Sequence, residues 1–286
     1  MKRIVCNFSC LLLIILISCG TKKGDSTAEA ESETTEAMEE KSMDIKGEEV
    51  TYEADGISMN GFISYDANQD NRRPGILVVH EWWGHNDYAR KRAEMLAEMG
   101  YVALAVDMYG DGLQADHPDD AGKFSSAVFQ NIDGAKARFS KAMEILKANP
   151  ATDSTKIAAI GYCFGGGVVL HMARFGFPLK GVVSFHGSLG TGTPAGEGDI
   201  KAAILVCHGS EDPFVSPESV EEFKKEMADA GANLTFKEYE GAKHSFTNPE
   251  ADENGQKFEL PLAYDEAADK ASWDDMRAFF DEIFAN

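Results

Sequence analysis

Short apolar runs, each bounded by turn residues and separated by helix-patterned stretches, constrain this chain more than any other feature. Residues 76–79 (Ile76-Leu77-Val78-Val79) follow Pro74-Gly75, and residues 101–106 follow Gly100. Further runs at 156–160, 181–185, 203–206 and 235–239 come at intervals long enough for a helix. Runs that are apolar on consecutive residues belong to strands buried on both faces. Helices are predicted over 87–99, 133–148, 165–173, 217–230 and 265–284, with Gly100 and Asn149-Pro150 as stop signals. Such alternation implies an α/β domain, with a mostly parallel central sheet flanked by helices. Residues 50–53 and 59–65, separated by Asp55-Gly56, read instead as an antiparallel hairpin that fits the sheet's edge.

The N-terminus has a different pattern. Lys2 and Arg3 precede an apolar core at 11–17 that is too short to span a bilayer, so residues 1–18 read as a signal peptide. Leu16-Ile17-Ser18-Cys19 resembles the bacterial lipobox, which implies a lipidated Cys19 as the first mature residue. A cleaved secretory signal with an incidental cysteine is the alternative. Gly20 is not the aspartate that commonly retains lipoproteins in the inner membrane, so the expected location is the outer membrane of the cell envelope, on either face. Residues 19–47 are rich in Glu, Ser, Thr and Ala and cannot bury enough surface to offset ordering entropy; they read as a disordered acidic tether. Residues 48–286 remain as one folded domain.

Charge and cysteine usage exclude several functions. A formal net charge of −21 argues against nucleic-acid binding, which needs a positive surface to displace counterions. Cys6 and Cys10 leave with the signal and Cys19 carries lipid, so Cys163 and Cys207 are the thiols left in the domain. They are too few for a disulfide framework and form no C-x-x-C redox motif. Cys207 ends the run Ile204-Leu205-Val206 and is expected to be buried and inert. His208 lies beside it, but the other histidines are scattered and make no metal-ligand pattern.

Three loops placed just past strands carry chemistry, as expected at the carboxyl ends of strands in open α/β sheets. Gly161-Tyr162-Cys163-Phe164-Gly165-Gly166-Gly167 matches the strand–turn–helix elbow G-x-S-x-G, with cysteine in the serine place. Its glycines allow a sharp turn that projects the thiol at a helix N-terminus, where the dipole and free N–H groups favour negative charge. Asp212, in His208-Gly209-Ser210-Glu211-Asp212-Pro213, can orient a histidine ring, and His244 follows the run at 235–239. Taken singly, such residues are more often turn formers or structural histidines. Nucleophile, acid, base is the chain order of α/β-hydrolases.

These motifs resemble the dienelactone hydrolase family over residues 50–284. The likeness is carried by His80-Glu81-Trp82-Trp83-Gly84, Asp107-Met108-Tyr109-Gly110, the Cys163 elbow, Ser210-Glu211-Asp212-Pro213-Phe214-Val215 and Ala242-Lys243-His244-Ser245-Phe246. The resemblance implies an α/β-hydrolase fold with Cys163 as nucleophile, His244 as base and later acid, and Asp212 as its orienter. It also implies that Glu81 holds the resting thiol and helps activate it. The expected oxyanion donors are the backbone N–H groups of Phe164 and Trp82. Trp83, Tyr109 and Phe246 are expected in the substrate pocket.

One departure bears on specificity. Family members acting on anionic lactones grip the carboxylate with two arginines, and the matching positions here hold Asp111 and Asn248. An aspartate repels a carboxylate that an arginine would bind. The expected substrate is therefore a neutral small-molecule ester or lactone, hydrolysed without a cofactor or metal. The only expected membrane contact is through the Cys19 lipid, and the expected assembly is a monomer. Two other readings stay open: a thiol peptidase or acyltransferase on the same triad, and a non-catalytic binding lipoprotein on a hydrolase scaffold. Residues 187–199 are Gly-rich, and the sequence leaves open whether they form a lid.

Overall fold

The computed structural model describes residues 42–285. The signal peptide, Cys19 and nearly all of the tether lie outside the described residues.

Strands β1 (Ile45–Ala54) and β2 (Ile57–Asp66) pair antiparallel across their full lengths. Asp55 and Gly56 both have positive φ, 54° and 70°, the backbone of a two-residue turn whose twist matches its strands. The other strands are β3 (Arg73–Val79), β4 (Val102–Val106), β5 (Thr152–Tyr162), β6 (Gly181–Phe185), β7 (Ala203–Gly209) and β8 (Leu234–Tyr239). They complete one sheet in the order β1-β2-β4-β3-β5-β6-β7-β8. From β4 to β8 every pairing is parallel, and β2 joins β4 antiparallel. β1 therefore runs in the same direction as the parallel strands and starts at the end of the sheet away from their carboxyl termini.

Seven helices accompany the strands among the described residues: α1 (Asp87–Glu98), α2 (Pro118–Gln130), α3 (Ile132–Ala148), α4 (Phe164–Arg174), α5 (Pro217–Asp229), α6 (Ala251–Phe258) and α7 (Glu266–Ala285). Successive strand residues point to opposite faces, so each continuous apolar run feeds two cores. Leu77 and Val79 pack with Phe139, Val169 and Phe223 of α3, α4 and α5. Ile76 and Val78 pack with Leu96, Met276 and Phe280 of α1 and α7. Burying a side chain of this size contributes about 1.5–3 kcal/mol. The double burial explains why these strands show no polar alternation.

Three differences from the sequence expectation have physical causes. β1 begins at Ile45, inside the segment read as tether, because Ile45 to Gly47 pair with Asp66 to Ser64 and Ser64 Oγ donates to the Lys46 carbonyl at 3.0 Å. An edge strand with exposed polar residues carries little hydrophobic signal. α2 has only Ala121 and Val128 buried, which leaves no apolar stripe to read. α6 is 8 residues long and buries Ala251 and Gly255.

Candidate active site

β5 ends at Tyr162, and Cys163 turns the chain into α4 with φ 51° and ψ −112°. A non-glycine residue held there costs on the order of 1–3 kcal/mol and persists only where its surroundings enforce it. The enforcement is visible. The Cys163 N–H donates to the Phe185 carbonyl at 3.0 Å and lies 3.2 Å from His186 Nδ1, and the Gly167 N–H donates to the Cys163 carbonyl at 3.2 Å. The elbow also needs two positions without side chains. A Cβ on Gly161 would sit 2.1 Å from the Gly165 carbonyl oxygen, and one on Gly165 would sit 2.3 Å from that of Val79.

The loops after β7 and β8 meet this elbow. His244 Nδ1 and Asp212 Oδ2 are 2.8 Å apart, and Asp212 Oδ1 accepts the Phe214 N–H at 2.9 Å, so both carboxylate oxygens are fixed. With Nδ1 held by Asp212, Nε2 is the ring nitrogen left for Cys163. Burial alone would lower the His244 pKa. The negative charge of Cys163, with hydrogen bonds to Asp212 and Cys163, outweighs it and pushes the group up to about 10. The Phe214 ring packs on the imidazole, centroids 4.9 Å apart.

Cys163 and His244 open into a cavity of about 250 Å³, walled by Trp82, Phe164, Phe129 and Phe214 among others. No lysine or arginine lines it. Phe164 is the first residue of α4, and first-turn N–H groups have no partner within their own helix. The loop carrying Trp82 is anchored from below, where Tyr109 Oη donates to the Trp82 carbonyl at 2.9 Å.

Several expected positions fall elsewhere. Glu81 is buried after β3, but its oxygens accept from Ser245 Oγ (3.0 Å) and Asn248 Nδ2 (2.6 Å), not from the thiol, which faces His244. Burial raises the Glu81 pKa against the opposing pull of those two bonds. Trp83 stacks on Phe258 at 5.8 Å and lines a separate, polar cavity, so it is not part of the pocket by Cys163. Tyr109 supports the loop rather than lining the cavity, its ring buried against His80 and Phe164. Phe246 is fully buried and packs on His186 and Tyr239, too deep to meet a ligand. Cys207 is buried, with burial raising its thiol to about 12. Asp111 is exposed and Asn248 is turned to Glu81, so neither offers a cationic grip.

Sequence reasoning missed His186. It follows β6 directly, at the same strand ends as the three loops, and that placement was the available signal. Because its Nδ1 accepts from Cys163, its Nε2 carries the proton and donates to Thr247 Oγ1 at 2.7 Å. Thr247 Oγ1 shares a further hydrogen bond with Tyr88 Oη at 2.6 Å. Burial, reinforced by the positive charges of His244 and Arg92, holds the His186 pKa well below its ordinary range and the ring neutral.

The family model for the dienelactone hydrolase family matches residues 59–284. The chain belongs to the dienelactone hydrolase family. As a member of it, the protein is a carboxylic ester hydrolase. A solved structure called m3DLH is 37% identical, with TM-score 0.79 over 84% of this chain and 98% of its own. A dienelactone hydrolase-like promiscuous phosphotriesterase from metagenomic libraries is 34% identical, with TM-score 0.78 and the same coverage. Among curated relatives, protein usf of Aquifex pyrophilus is 30% identical over 82% of this chain and 98% of its own length. An Aquifex aeolicus relative, provisionally named a carboxymethylenebutenolidase, is 30% identical over 71% of this chain and 87% of its own.

Proposed function

We propose that this family member hydrolyses neutral esters or lactones through a thioester acyl-enzyme on Cys163. The observation that carries the reading is the Cys163–His244–Asp212 arrangement at the floor of a cavity without lysine or arginine. The thiol proton already rests on His244, and Sγ attacks the substrate carbonyl to give a tetrahedral oxyanion. The N–H groups of Phe164 and Trp82 receive that oxyanion, a contribution typically worth roughly 100- to 1,000-fold in rate for a single donor. The C–O bond then breaks, and His244 gives its proton to the leaving alkoxide. Water, deprotonated by His244, attacks the thioester; the acid leaves and His244 keeps the proton beside the freed sulfur.

Two neighbours position this machinery. Glu81 braces the loop bearing His244 through Ser245 and Asn248, and Asp212 fixes the ring orientation. The absence of an arginine grip favours substrates without a carboxylate. The basic start, short apolar core and Leu16-Ile17-Ser18-Cys19 support attachment to the cell envelope by lipid on Cys19. Cys19→Ser is then expected to abolish metabolic labelling with a fatty acid.

Hydrolysis of p-nitrophenyl butyrate and a neutral enol-lactone by wild type, Cys163→Ala and His244→Ala tests the reading. Turnover by wild type, with kcat reduced roughly 10⁴-fold or more in both variants, is the expected outcome. Equal rates in all three folded proteins would overturn it.

A further inference from the structure

A second cavity, of about 460 Å³, lies beside the first. The two share Phe129 and Ser188, which line both. Those residues meet across Gly167: a Cβ there would lie 3.4 Å from Phe129 Cζ and 3.5 Å from the Ser188 carbonyl oxygen. The Phe129 ring stands at the junction, with its centroid 5.4 Å from Phe164 on one side and 5.2 Å from His171 on the other.

The far cavity is walled by Ile132, Phe175 and His171 on the helix side and by Thr191 and Thr193 of the Gly-rich loop. It carries no lysine, arginine or carboxylate. His171 Nδ1 donates to the Gly167 carbonyl at 2.8 Å, and burial lowers the ring's pKa, so the wall is uncharged at neutral pH. The loop that sequence reasoning left open as a lid is the outer wall of this cavity.

Reaction geometry selects which part of a substrate reaches it. Around the tetrahedral carbon, one substituent is Sγ and one is the oxyanion held at Phe164 and Trp82. The leaving oxygen must face His244 to be protonated. His244 lines the first cavity only, on the side of Phe214. The acyl carbon takes the remaining direction, toward Phe129 and Ser188, the two residues shared with the second cavity.

We propose that the second cavity is an acyl subsite, which makes the preferred substrates esters of uncharged, medium-length acyl groups. This rests on the hydrolase reading above. A longer acyl chain passes Phe129 and buries its distal methylenes against Ile132, Phe175 and His171.

The test is kcat/KM of the full chain in detergent on p-nitrophenyl acetate, butyrate and octanoate. Each buried methylene is expected to raise kcat/KM about fourfold, the equivalent of about 0.8 kcal/mol. Thr191→Trp and Ile132→Trp fill the far cavity from opposite walls. Both are expected to bring octanoate down to the butyrate value and leave acetate within about twofold of wild type, which also reports a folded, competent triad. If wild type hydrolyses acetate with no gain on octanoate, or both variants keep the gain, the subsite is refuted and the hydrolase reading stands. If wild type hydrolyses none of the three, both fail.

Discussion

His186 holds the backbone of Cys163, the proposed nucleophile, and its removal gives a worked test. In His186→Ala two hydrogen bonds disappear, to the Cys163 N–H and to Thr247 Oγ1. Neither partner is orphaned: Cys163 N–H keeps the Phe185 carbonyl at 3.0 Å, and Thr247 keeps Tyr88. The bond losses are then about 1 kcal/mol each, and the cavity left by a fully buried ring adds on the order of 1–2 kcal/mol. A total of about 3 kcal/mol corresponds to a fall in Tm of ~6–12 °C for a domain of this size. His186→Asn places an acceptor near the Nδ1 position, and asparagine tolerates the positive φ of 40° found here. It should lose about half as much stability, leaving one bond broken rather than two. Because the elbow loses a restraint, kcat/KM on p-nitrophenyl butyrate should drop about tenfold in the alanine variant, the equivalent of about 1.4 kcal/mol. The pH profile should not move, since the ring stays neutral. Thermal denaturation and a pH series check all of this. A loss of under about 1 kcal/mol in His186→Ala, asparagine no better than alanine, or a displaced pH limb would refute the positioning role.

Two further outcomes follow from geometry already described. His244 keeps its proton up to about pH 10 because Cys163 and Asp212 together outweigh burial, so kcat/KM should fall as pH rises through about 10 rather than through the ordinary histidine range. In Cys163→Ala the negative partner is gone and the His244 ring, followed by NMR, should titrate lower; an unchanged titration would refute the coupling. Gly165→Ala forces a Cβ against the Val79 and His80 carbonyl oxygens and should cost roughly 3 kcal/mol or more. Gly122→Ala, in open space within α2, should be neutral or stabilise by about 0.4–1 kcal/mol. Equal denaturation midpoints for the two variants would contradict the steric account of the elbow.

The parallel strands and the loops bearing Cys163, Asp212 and His244 were legible in the sequence for one reason. Strands buried on both faces leave unbroken apolar runs, and the loops at their carboxyl ends inherit the chain order of those runs. Cys163, Asp212 and His244 could therefore be placed from the sequence alone. Pocket walls obey no such rule. Phe129 comes from α2, a helix with too little buried surface to register, and Phe214 is an exposed ring laid across His244. Trp83, Tyr109 and Phe246 lie next to motif residues in the chain, but adjacency does not fix where a side chain points. Phe246 turns into the core and Trp83 toward Phe258. Glu81 is buried, but the sequence held no cue that Ser245 and Asn248 would supply its partners.

The direction of β1 has a practical consequence. Its first residue, Ile45, joins the sheet at the end opposite the loops bearing Cys163, Asp212 and His244. Whatever is coupled ahead of that residue, a fusion partner or a bead for immobilisation, pulls on the side of the domain remote from the cavity. Attachment there is at the end of the sheet away from the cavity lined by Phe129 and Phe214. A linker grafted instead into the loop at 187–199 would disturb a wall of the second cavity, the proposed acyl subsite.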